Sequence, residues 1–494
     1  MLFNSLQFLL FLPIVVLVFY FIPNKFKQLW LLVASYYFYM CWNAKYGLLI
    51  LFSTIITYLC GIIIEKFPSS NDKHIKTVLT LGISINLIIL FYFKYLNFAL
   101  SIVSSILGKL HVSLTIPTFD ILLPVGISFY TFQALGYVID VYRGDIKAER
   151  NFVKYALFVS FFPQLVAGPI ERSKNLLSQL TWNEKMPLKR SNFQEGFLII
   201  LWGFFLKIVI ADRIASFVDT IYNSSSEYSG AYFIVASILF AFQIYCDFYG
   251  YSSIAKGSAR LLGIELMENF DAPYLQTTVA GFWKQWHISL TSWFRDYLYI
   301  PLGGNRKGNL RKYFNIMIVF LISGLWHGAN LSFVIWGGIN GLYQVVGDSL
   351  KKFRKKIRKA FDIHIDTIGY KVIATIITFF MVDFAWIFFR ANSFKQSLSI
   401  VKSIFTTYNP WVLFDGSLFE CGLDRPGFLL LGLSLLILLF ADIMKKRGLC
   451  IRHLIIKQDD WCRCLIYVSA MVFLLIFGVY GSNYDAAAFI YFQF

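Results

Sequence analysis

Apolar runs recur from one end of this chain to the other, and they restrict its possible folds more than any other feature. The runs cover residues 6–21, 29–40, 48–64, 78–93, 121–139, 197–211, 232–245, 313–328, 331–346, 372–389, 428–441 and 465–478. Several are shorter than the roughly 20 residues of a full crossing, so they would tilt, thin the bilayer or be re-entrant. Because backbone groups in lipid must be satisfied within helices, the chain is predicted to be an all-α polytopic membrane protein.

The predicted architecture has about twelve transmembrane helices, with an error of about two, plus re-entrant and interfacial helices around an intramembrane tunnel. Charged residues make up only 15% of the chain, against about 25% in soluble domains. No separate soluble domain stands out, so residues 1–494 are predicted to form one membrane domain. Residues 1–4 contain no basic group and no small-residue cleavage site follows, so run 6–21 is predicted to be a retained first helix.

The net charge of +17 comes from Lys and Arg residues in short loops between apolar runs. This is the positive-inside pattern of membrane proteins, and it argues against a nucleic-acid partner. The basic loops 351–359 and 445–447 are therefore predicted to be cytoplasmic, where they can also meet anionic lipid headgroups. With these loops inside, run 313–328 ascends and carries His327 toward its outer half. Run 152–168 breaks the alternation and is predicted to be re-entrant or interfacial.

His327 is the most informative polar residue, since it lies inside a strongly apolar stretch. An ionisable group at membrane depth is costly unless it is used, and an imidazole can accept and return a proton near neutral pH. Its neighbours offer close helix approach, hydrogen-bond partners and a rigid wall; they are Gly324, Gly328, Ser323, Asn330 and Trp326. The alternative is a buried histidine that only bonds a facing helix.

Residues 250–312 are the least like a spanning helix and the richest in polar and aromatic side chains. An apolar stripe at steps of three and four predicts one amphipathic helix, at the membrane surface or embedded on the cytoplasmic side. The stripe consists of Phe282, Trp283, Trp286, Leu290, Trp293 and Phe294. His287 falls on the other face, where an ordinary interfacial histidine and a site residue are equally good interpretations. Glycines in the following turn, 301–305, allow close approach of the backbone to a ligand.

Basic residues gather around that turn on the predicted cytoplasmic side. They are Arg295, Arg306, Lys307, Arg311 and Lys312. Such a cluster would hold the phosphates of a donor such as a CoA thioester, although the positive-inside bias accounts for part of it. Asp296, beside Arg295, fits either an ion-pair partner or a substrate contact.

Two other chemistries are disfavoured. No Gly-x-Ser-x-Gly sequence occurs, which argues against a Ser-His-Asp hydrolase. The seven cysteines show no disulfide-framework spacing. A small group near the end fits no familiar zinc pattern, so neither a metal nor a bound cofactor is predicted; it consists of Cys450, His453, Cys462 and Cys464.

Several motifs, in order along nearly the whole chain, closely resemble those of the membrane-bound O-acyltransferases, in particular the alginate O-acetyltransferase branch. They are FPQLVAGPI at 162–170, YCDFYGYS at 245–252, ENFDAPY at 268–274, FWKQWHISL at 282–290, RDYLYIPLGGNR at 295–306, GLWHGA at 324–329 and FIYFQF at 489–494. The D-alanyl transfer branch shares the Trp-x-x-Trp-His pattern, whereas the PLGGNR turn and the chain length favour the acetyl branch.

The resemblance implies an enzyme of the bacterial cytoplasmic membrane that takes an acetyl group from acetyl-CoA and delivers it to an extracytoplasmic polysaccharide. It assigns the essential histidine to His327 and the second signature histidine to His287. It also implies an extracytoplasmic SGNH-type partner protein. Further donor or substrate contacts are predicted at Trp283, Trp286, Trp326, Arg295, Asp296, Arg306, Lys307 and Asn330. In this hypothesis His327 acts as general base, and His287 orients the donor or stabilises the oxyanion.

Other functions remain open at this point. One alternative transfers D-alanyl or another acyl group to a cell-wall polymer. A transporter or flippase for a polysaccharide precursor would also be polytopic with a polar site at mid-depth, but no internal repeat is visible. A non-catalytic scaffold of an envelope complex is a third reading. The acceptor could be an alginate-like polymer, peptidoglycan, an exopolysaccharide or a secondary wall polymer, reached directly or through a partner's hydroxyl.

Overall fold

The computed structural model describes residues 1–67, 73–111, 117, 119–166, 168–182 and 189–480, and within these ranges it contains helices and no β-strand. The all-α prediction is confirmed. The chain divides into two compact units, Met1–Ile200 with Ile254–Met267 and Leu201–Ser253 with Glu268–Phe494. The terminal motif at 489–494 lies outside the described residues. The single membrane domain and the tunnel stay predictions.

The first unit is a set of helices packed along their apolar faces. They are α1 (Leu6–Phe21), α2 (Asn24–Met40), α3 (Ala44–Lys66), α4 (Lys73–Leu90), a π-helical turn (Phe91–Tyr95), α5 (Leu96–Lys109), α6 (Ile127–Arg143), α7 (Phe152–Ser160), α8 (Phe162–Leu165) and α9 (Ser173–Gln179). Where α3 meets α4, the buried Ser53 donates to Oδ1 of Asn86 over 2.5 Å, and Asn86 Nδ2 donates to the Gly82 carbonyl over 2.9 Å. These bonds satisfy polar groups that would be costly to bury alone.

Two predicted runs in this unit are shaped by local breaks. Run 121–139 is helical only from Ile127, because Gly126 has a left-handed backbone with φ 75°. A Cβ at Gly126 would lie 2.4 Å from the Leu165 carbonyl oxygen, so only glycine fits this entry to α6. Run 152–168 forms α7 and α8, with nine and four residues, instead of one helix. Both are too short to cross a bilayer, and the re-entrant or interfacial position of this run stays a prediction.

The second unit holds the remaining helices, although α10 and α12 also have residues in the first. They are α10 (Arg190–Phe204), a π-helix (Phe205–Ala211), α11 (Asp212–Asn223), α12 (Ala231–Leu261), a 3-10 turn (Pro273–Leu275), α13 (Val279–Gln285), α14 (Ile288–Phe294), a π-helical turn (Arg295–Tyr299), α15 (Gly308–His327), α16 (Leu331–Ser349), α17 (Lys351–Ala360), α18 (Ile368–Arg390), α19 (Phe394–Thr406), 3-10 turns (Pro410–Leu413 and Ser417–Glu420), α20 (Arg425–Lys446), α21 (Ile451–Ile456) and α22 (Asp460–Phe477).

Within the described residues, six helical stretches are long and apolar enough to cross a membrane. They are Ala44–Lys66, Lys73–Lys109, Ala231–Leu261, Ile368–Arg390, Arg425–Lys446 and Asp460–Phe477. The shorter apolar α1 has 16 residues. The protein is therefore a membrane protein, and the total of about twelve spans stays a prediction.

The helix α12 is much longer than its predicted run of 232–245. It has 31 residues and includes 250–261, which the polar composition had assigned to a non-spanning segment. This part of α12 packs closely, since a Cβ at Gly250 would lie 2.8 Å from the Gly203 carbonyl oxygen. Polar side chains can form hydrogen bonds to backbone carbonyls of the same helix. Ser258 Oγ, for example, donates to the Ile254 carbonyl over 2.7 Å.

Helices α15 and α16 form a closely packed hairpin, and the close helix approach predicted at Gly324 is confirmed. A Cβ at Gly324 would lie 2.2 Å from the Phe333 carbonyl oxygen, and one at Gly337 would lie 2.2 Å from the Phe320 carbonyl oxygen. Neither backbone oxygen can move aside independently of its helix. The separation of the two helices is therefore set by glycine.

This packing gives a prediction with opposite signs at two positions. Gly324→Ala is expected to destabilise the protein by roughly 1–3 kcal/mol, because the methyl group overpacks the hairpin. Gly338→Ala is the matched control, since its methyl group would meet only the Leu321 side chain at 3.6 Å. There, alanine is expected to be neutral or stabilising by up to about 1 kcal/mol through helix propensity. Melting midpoints of the detergent-solubilised variants measure both effects, and equal midpoints would contradict the packing argument.

Candidate active site

His327 is the last residue of α15 and is buried, with 5% of its surface exposed. Three aromatic rings surround its imidazole. The ring centroids of Trp326, Trp336 and Phe389 lie 5.0, 5.1 and 5.4 Å from it. Trp336 meets the imidazole at an interplanar angle of 90°. The rings restrict the orientation of His327 and shield it from water.

The aromatic surroundings of His327 extend into a wall of indoles. Trp336 stacks on Trp386 at 5.5 Å, and Trp386 lies 5.1 Å from Trp286. Trp283 lies 5.7 Å from Trp336, and its Nε1 donates to Oδ1 of Asn340 over 3.2 Å. This wall joins α13, α16 and α18. It is held by specific ring contacts as well as by burial.

The sequence identified Trp283, Trp286 and Trp326 but missed Trp336, Trp386 and Phe389. A signal existed for Trp336, because tryptophan in membrane proteins is enriched at the interfaces and this residue lies within the apolar run 331–346. No comparable signal marks Phe389 among the many phenylalanines of the chain. Its role becomes visible only when α18 is placed beside α15.

The predicted amphipathic helix through 282–294 is wrong in one important respect. It is broken into α13 and α14 at Trp286 and His287, and His287 has a left-handed backbone with φ 43° and ψ 55°. The cause is a non-local pairing: Asp271 N donates to the Gln285 carbonyl over 3.1 Å, and Ile288 N donates to the Asn269 carbonyl over 3.0 Å. His287 is therefore buried, with 1% exposed, and is not the surface residue that the helical pattern predicted.

The two histidines share one neighbour. His287 lies against Trp326 with ring centroids 6.0 Å apart, and the same indole lies 5.0 Å from His327. Phe248 packs on His287 at 4.6 Å. His287 lies outside the spanning helices, and burial lowers its pKa to about 3, so its imidazole is neutral at physiological pH. The structure thus brings both predicted histidines to one buried aromatic site.

A buried ion cluster adjoins this site. Lys207, on the π-helix Phe205–Ala211, places Nζ 2.8 Å from Asp212 Oδ1 and 2.6 Å from Asp247 Oδ1. Their side chains are 1%, 6% and 3% exposed. Asp247 directly precedes Phe248, so the cluster fixes the part of α12 that contacts His287. Asp247 serves as an ion-pair partner here.

Two of the basic residues predicted to bind the donor, Arg306 and Lys307, belong to the segment that follows Tyr299. The turn after Tyr299 is confirmed, with φ 103° at Gly303 and 55° at Gly304. Arg306 and Lys307 are exposed beside it. Their contact with a donor stays a prediction.

Two other basic side chains of the predicted cluster, Arg295 and Lys312, form ion pairs with carboxylates. Arg295 Nε lies 2.8 Å from Asp296 Oδ1, and this hydrogen bond raises the pKa of Arg295. Lys312 Nζ lies 2.6 Å from Asp348 Oδ2. Of the two roles considered for Asp296, the ion pair is therefore observed.

Asn330 has a structural use. Its Oδ1 accepts from Ser332 N over 3.0 Å and caps α16, while Nδ2 donates to the Asn392 carbonyl over 3.3 Å. Its role in substrate binding stays a prediction.

In the described part of the chain, no three His, Cys, Asp or Glu side chains are grouped closely enough to hold a metal ion. The cysteines and histidine at 450–464 do not form such a group.

Comparison with known proteins identifies the family. Residues 147–389, which include both histidines, match the model of the membrane-bound O-acyltransferase family. The chain is 37% identical to the probable alginate O-acetylase of Pseudomonas putida over 414 residues, or 84% of this chain and 82% of that protein. This chain belongs to the membrane-bound O-acyltransferase family. The resemblance seen in the motifs is confirmed, and the chain is a membrane O-acyltransferase.

Two other relatives have different named activities. The peptidoglycan O-acetyltransferase of Helicobacter pylori is 34% identical over 403 residues, 77% of this chain and 74% of that protein. The teichoic acid D-alanyltransferase of Streptococcus thermophilus is 27% identical over 280 residues, 54% of this chain and 66% of that protein.

Proposed function

We propose that this membrane O-acyltransferase takes an acetyl group from cytoplasmic acetyl-CoA and delivers it across the bacterial cytoplasmic membrane for O-acetylation of an envelope polysaccharide. The observation that carries the proposal is the placement of His287 and His327 on one indole, Trp326, inside a buried aromatic site. Such a site can hold a thioester and a hydroxyl while limiting hydrolysis.

The relatives favour acetyl over D-alanyl transfer. The relatives named as a probable alginate O-acetylase and a peptidoglycan O-acetyltransferase are 37% and 34% identical over 84% and 77% of this chain. The D-alanyltransferase is 27% identical over 54%. The acceptor differs between the two O-acetylases, alginate in one name and peptidoglycan in the other, so the proposal extends to an envelope polysaccharide as a class.

In the proposed reaction His327 is the general base. Its imidazole removes the proton of the acceptor hydroxyl as that oxygen attacks the thioester carbonyl. The tetrahedral intermediate collapses with cleavage of the carbon–sulfur bond, and the proton returns from His327 to the leaving thiolate of CoA. Such proton transfer contributes about 10²–10⁴ in rate. His287 orients the donor or stabilises the oxyanion.

The acceptor hydroxyl belongs either to the polysaccharide or to an extracytoplasmic SGNH-type partner that passes the acetyl group on. The motif resemblance supports the relayed route. On the cytoplasmic side, Arg306 and Lys307 are exposed and suited to the phosphates of CoA. The cytoplasmic basic helix α17 would lie against anionic lipid.

The decisive experiment compares the O-acetyl content of each extracted envelope polymer in cells with and without this chain. Acetate released by mild base should fall to background in one polymer and return on complementation. Unchanged acetate in every polymer would contradict the proposal, and loss of D-alanyl esters instead would favour the alternative. Purified protein in vesicles should also consume labelled acetyl-CoA in the presence of acceptor, which a transporter or a scaffold would not do.

A further inference from the structure

Four buried polar side chains form a continuous network that includes His287. Asn269 Nδ2 donates to Ser252 Oγ over 2.9 Å, and Ser289 Oγ donates to Asn269 Oδ1 over 2.6 Å. Ser289 Oγ also lies 3.5 Å from His287 Nδ1. Exposure is 5% or less at each of these residues. Within such a water-poor site, the direction of each hydrogen bond is set by the protein.

The donors and acceptors in this network can be assigned in sequence. Because the Asn269 amino group is used on Ser252, its carbonyl oxygen is the atom that faces Ser289. The Ser289 hydroxyl has a single proton, and the 2.6 Å bond to Asn269 Oδ1 takes it. Only the lone pairs of Ser289 Oγ then remain for the imidazole, so Nδ1 must be the donor in that contact.

Backbone contacts also fix the positions of Asn269 and the His287 ring relative to each other. The bond from Ile288 N to the Asn269 carbonyl fixes Asn269 beside His287, and the left-handed backbone of His287 directs its ring into the network. Such strained conformations persist only where surrounding contacts determine them. Since burial keeps the ring neutral, one nitrogen carries the proton and the other has a lone pair.

We infer that Asn269 and Ser289 are positioning residues that fix His287 in the tautomer protonated on Nδ1, so that Nε2 is a hydrogen-bond acceptor. The inference rests on the proposed function of this site and decides between the two roles given to His287. A neutral Nε2 with a lone pair cannot donate to an oxyanion. It can accept from an N–H or O–H group of the acyl donor, and His287 therefore orients the donor.

The test is nitrogen NMR on protein labelled with ¹⁵N only in histidine, since the two neutral tautomers have distinct shifts. Loss of one set of signals in His287→Gln assigns His287. In the wild-type protein, that residue should show protonated Nδ1 and unprotonated Nε2. In Ser289→Ala, the population should shift toward protonated Nε2, with acetyl transfer lowered about 10-fold, comparable to removal of the outer partner of a metal-ligating histidine. Ser289→Thr keeps the hydroxyl and should retain both properties.

Ser292→Ala is the matched control, because Ser292 is on the same helix and its Oγ donates to the Ser289 carbonyl over 2.9 Å. It should leave the tautomer unchanged. A merely structural role for Ser289 would lower the yield of folded protein without moving the tautomer. Protonated Nε2 in the wild-type protein, or no shift in Ser289→Ala, overturns the inference. The NMR measurements of the tautomer do not require the acceptor polymer, so failure of this inference is distinguishable from failure of the O-acetylation assay.

Discussion

His327→Ala is expected to lower acetyl transfer by at least about 10²–10⁴, to background in a cellular assay, because it removes the proposed general base. The loss should be in catalysis and not in folding. The imidazole lies at the end of α15, and the surrounding rings of Trp336 and Phe389 contact other aromatic groups that remain when it is removed. The measurements are polymer-bound acetate in cells and turnover of labelled acetyl-CoA by purified protein, each normalised to folded protein.

His364→Ala is the matched control for this substitution. His364 is also a histidine, but it lies in a loop with 73% of its side chain exposed. Its Nε2 lies 3.6 Å from Asp362 Oδ2. It should keep wild-type activity. His327→Gln is a second variant that retains a polar side chain of similar reach but cannot exchange a proton in the same way. Normal O-acetylation in either His327 variant would refute the assignment of the base.

Lys207→Met is expected to destabilise the protein by about 3–5 kcal/mol, the cost of breaking a buried ion pair. The substitution leaves the carboxylates of Asp212 and Asp247 buried without the ammonium group that lies 2.8 and 2.6 Å from them. Activity should fall as well, because Phe248, next to Asp247, packs on His287. A melting curve of the detergent-solubilised protein and the yield of folded protein measure the effect.

Two comparisons make this prediction specific. Lys352→Met removes an exposed lysine of α17 and should change stability by no more than about 0.5 kcal/mol. Adding Asp212→Asn and Asp247→Asn to Lys207→Met should restore part of the stability, because the uncompensated charge is removed. If Lys207→Met melts like Lys352→Met, the cluster does not stabilise this region.

The helices were largely predictable because their cause is local. The apolar runs 48–64, 372–389 and 428–441 specify α3, α18 and α20 within a few residues at each end. Gly324 indicated the close helix approach that α15 makes. The break at His287 could not be predicted in this way. It arises from backbone hydrogen bonds between Asp271 and Gln285 and between Ile288 and Asn269, which are 14 and 19 positions apart. No periodic pattern in the sequence marks these pairs.

The same distinction applies to the site. His327 was recognisable because an ionisable residue in an apolar run is unusual by itself. The contributions of Trp386 and Phe389 depend on how α18 packs in the second unit, which no spacing within 372–389 reveals. For His287, the helical periodicity predicted a place on the polar face of an amphipathic helix, whereas the residue is buried. The Trp-His motif nevertheless singled out this residue.

The left-handed backbone at His287 also bears on which residues the turn accepts. Glycine adopts that conformation freely, and asparagine, aspartate and histidine are the other residues enriched in it. Four residue types therefore suit a φ of 43° at position 287. Of these four, histidine alone brings an imidazole to Trp326 and Ser289, so one residue satisfies the turn and the buried site together.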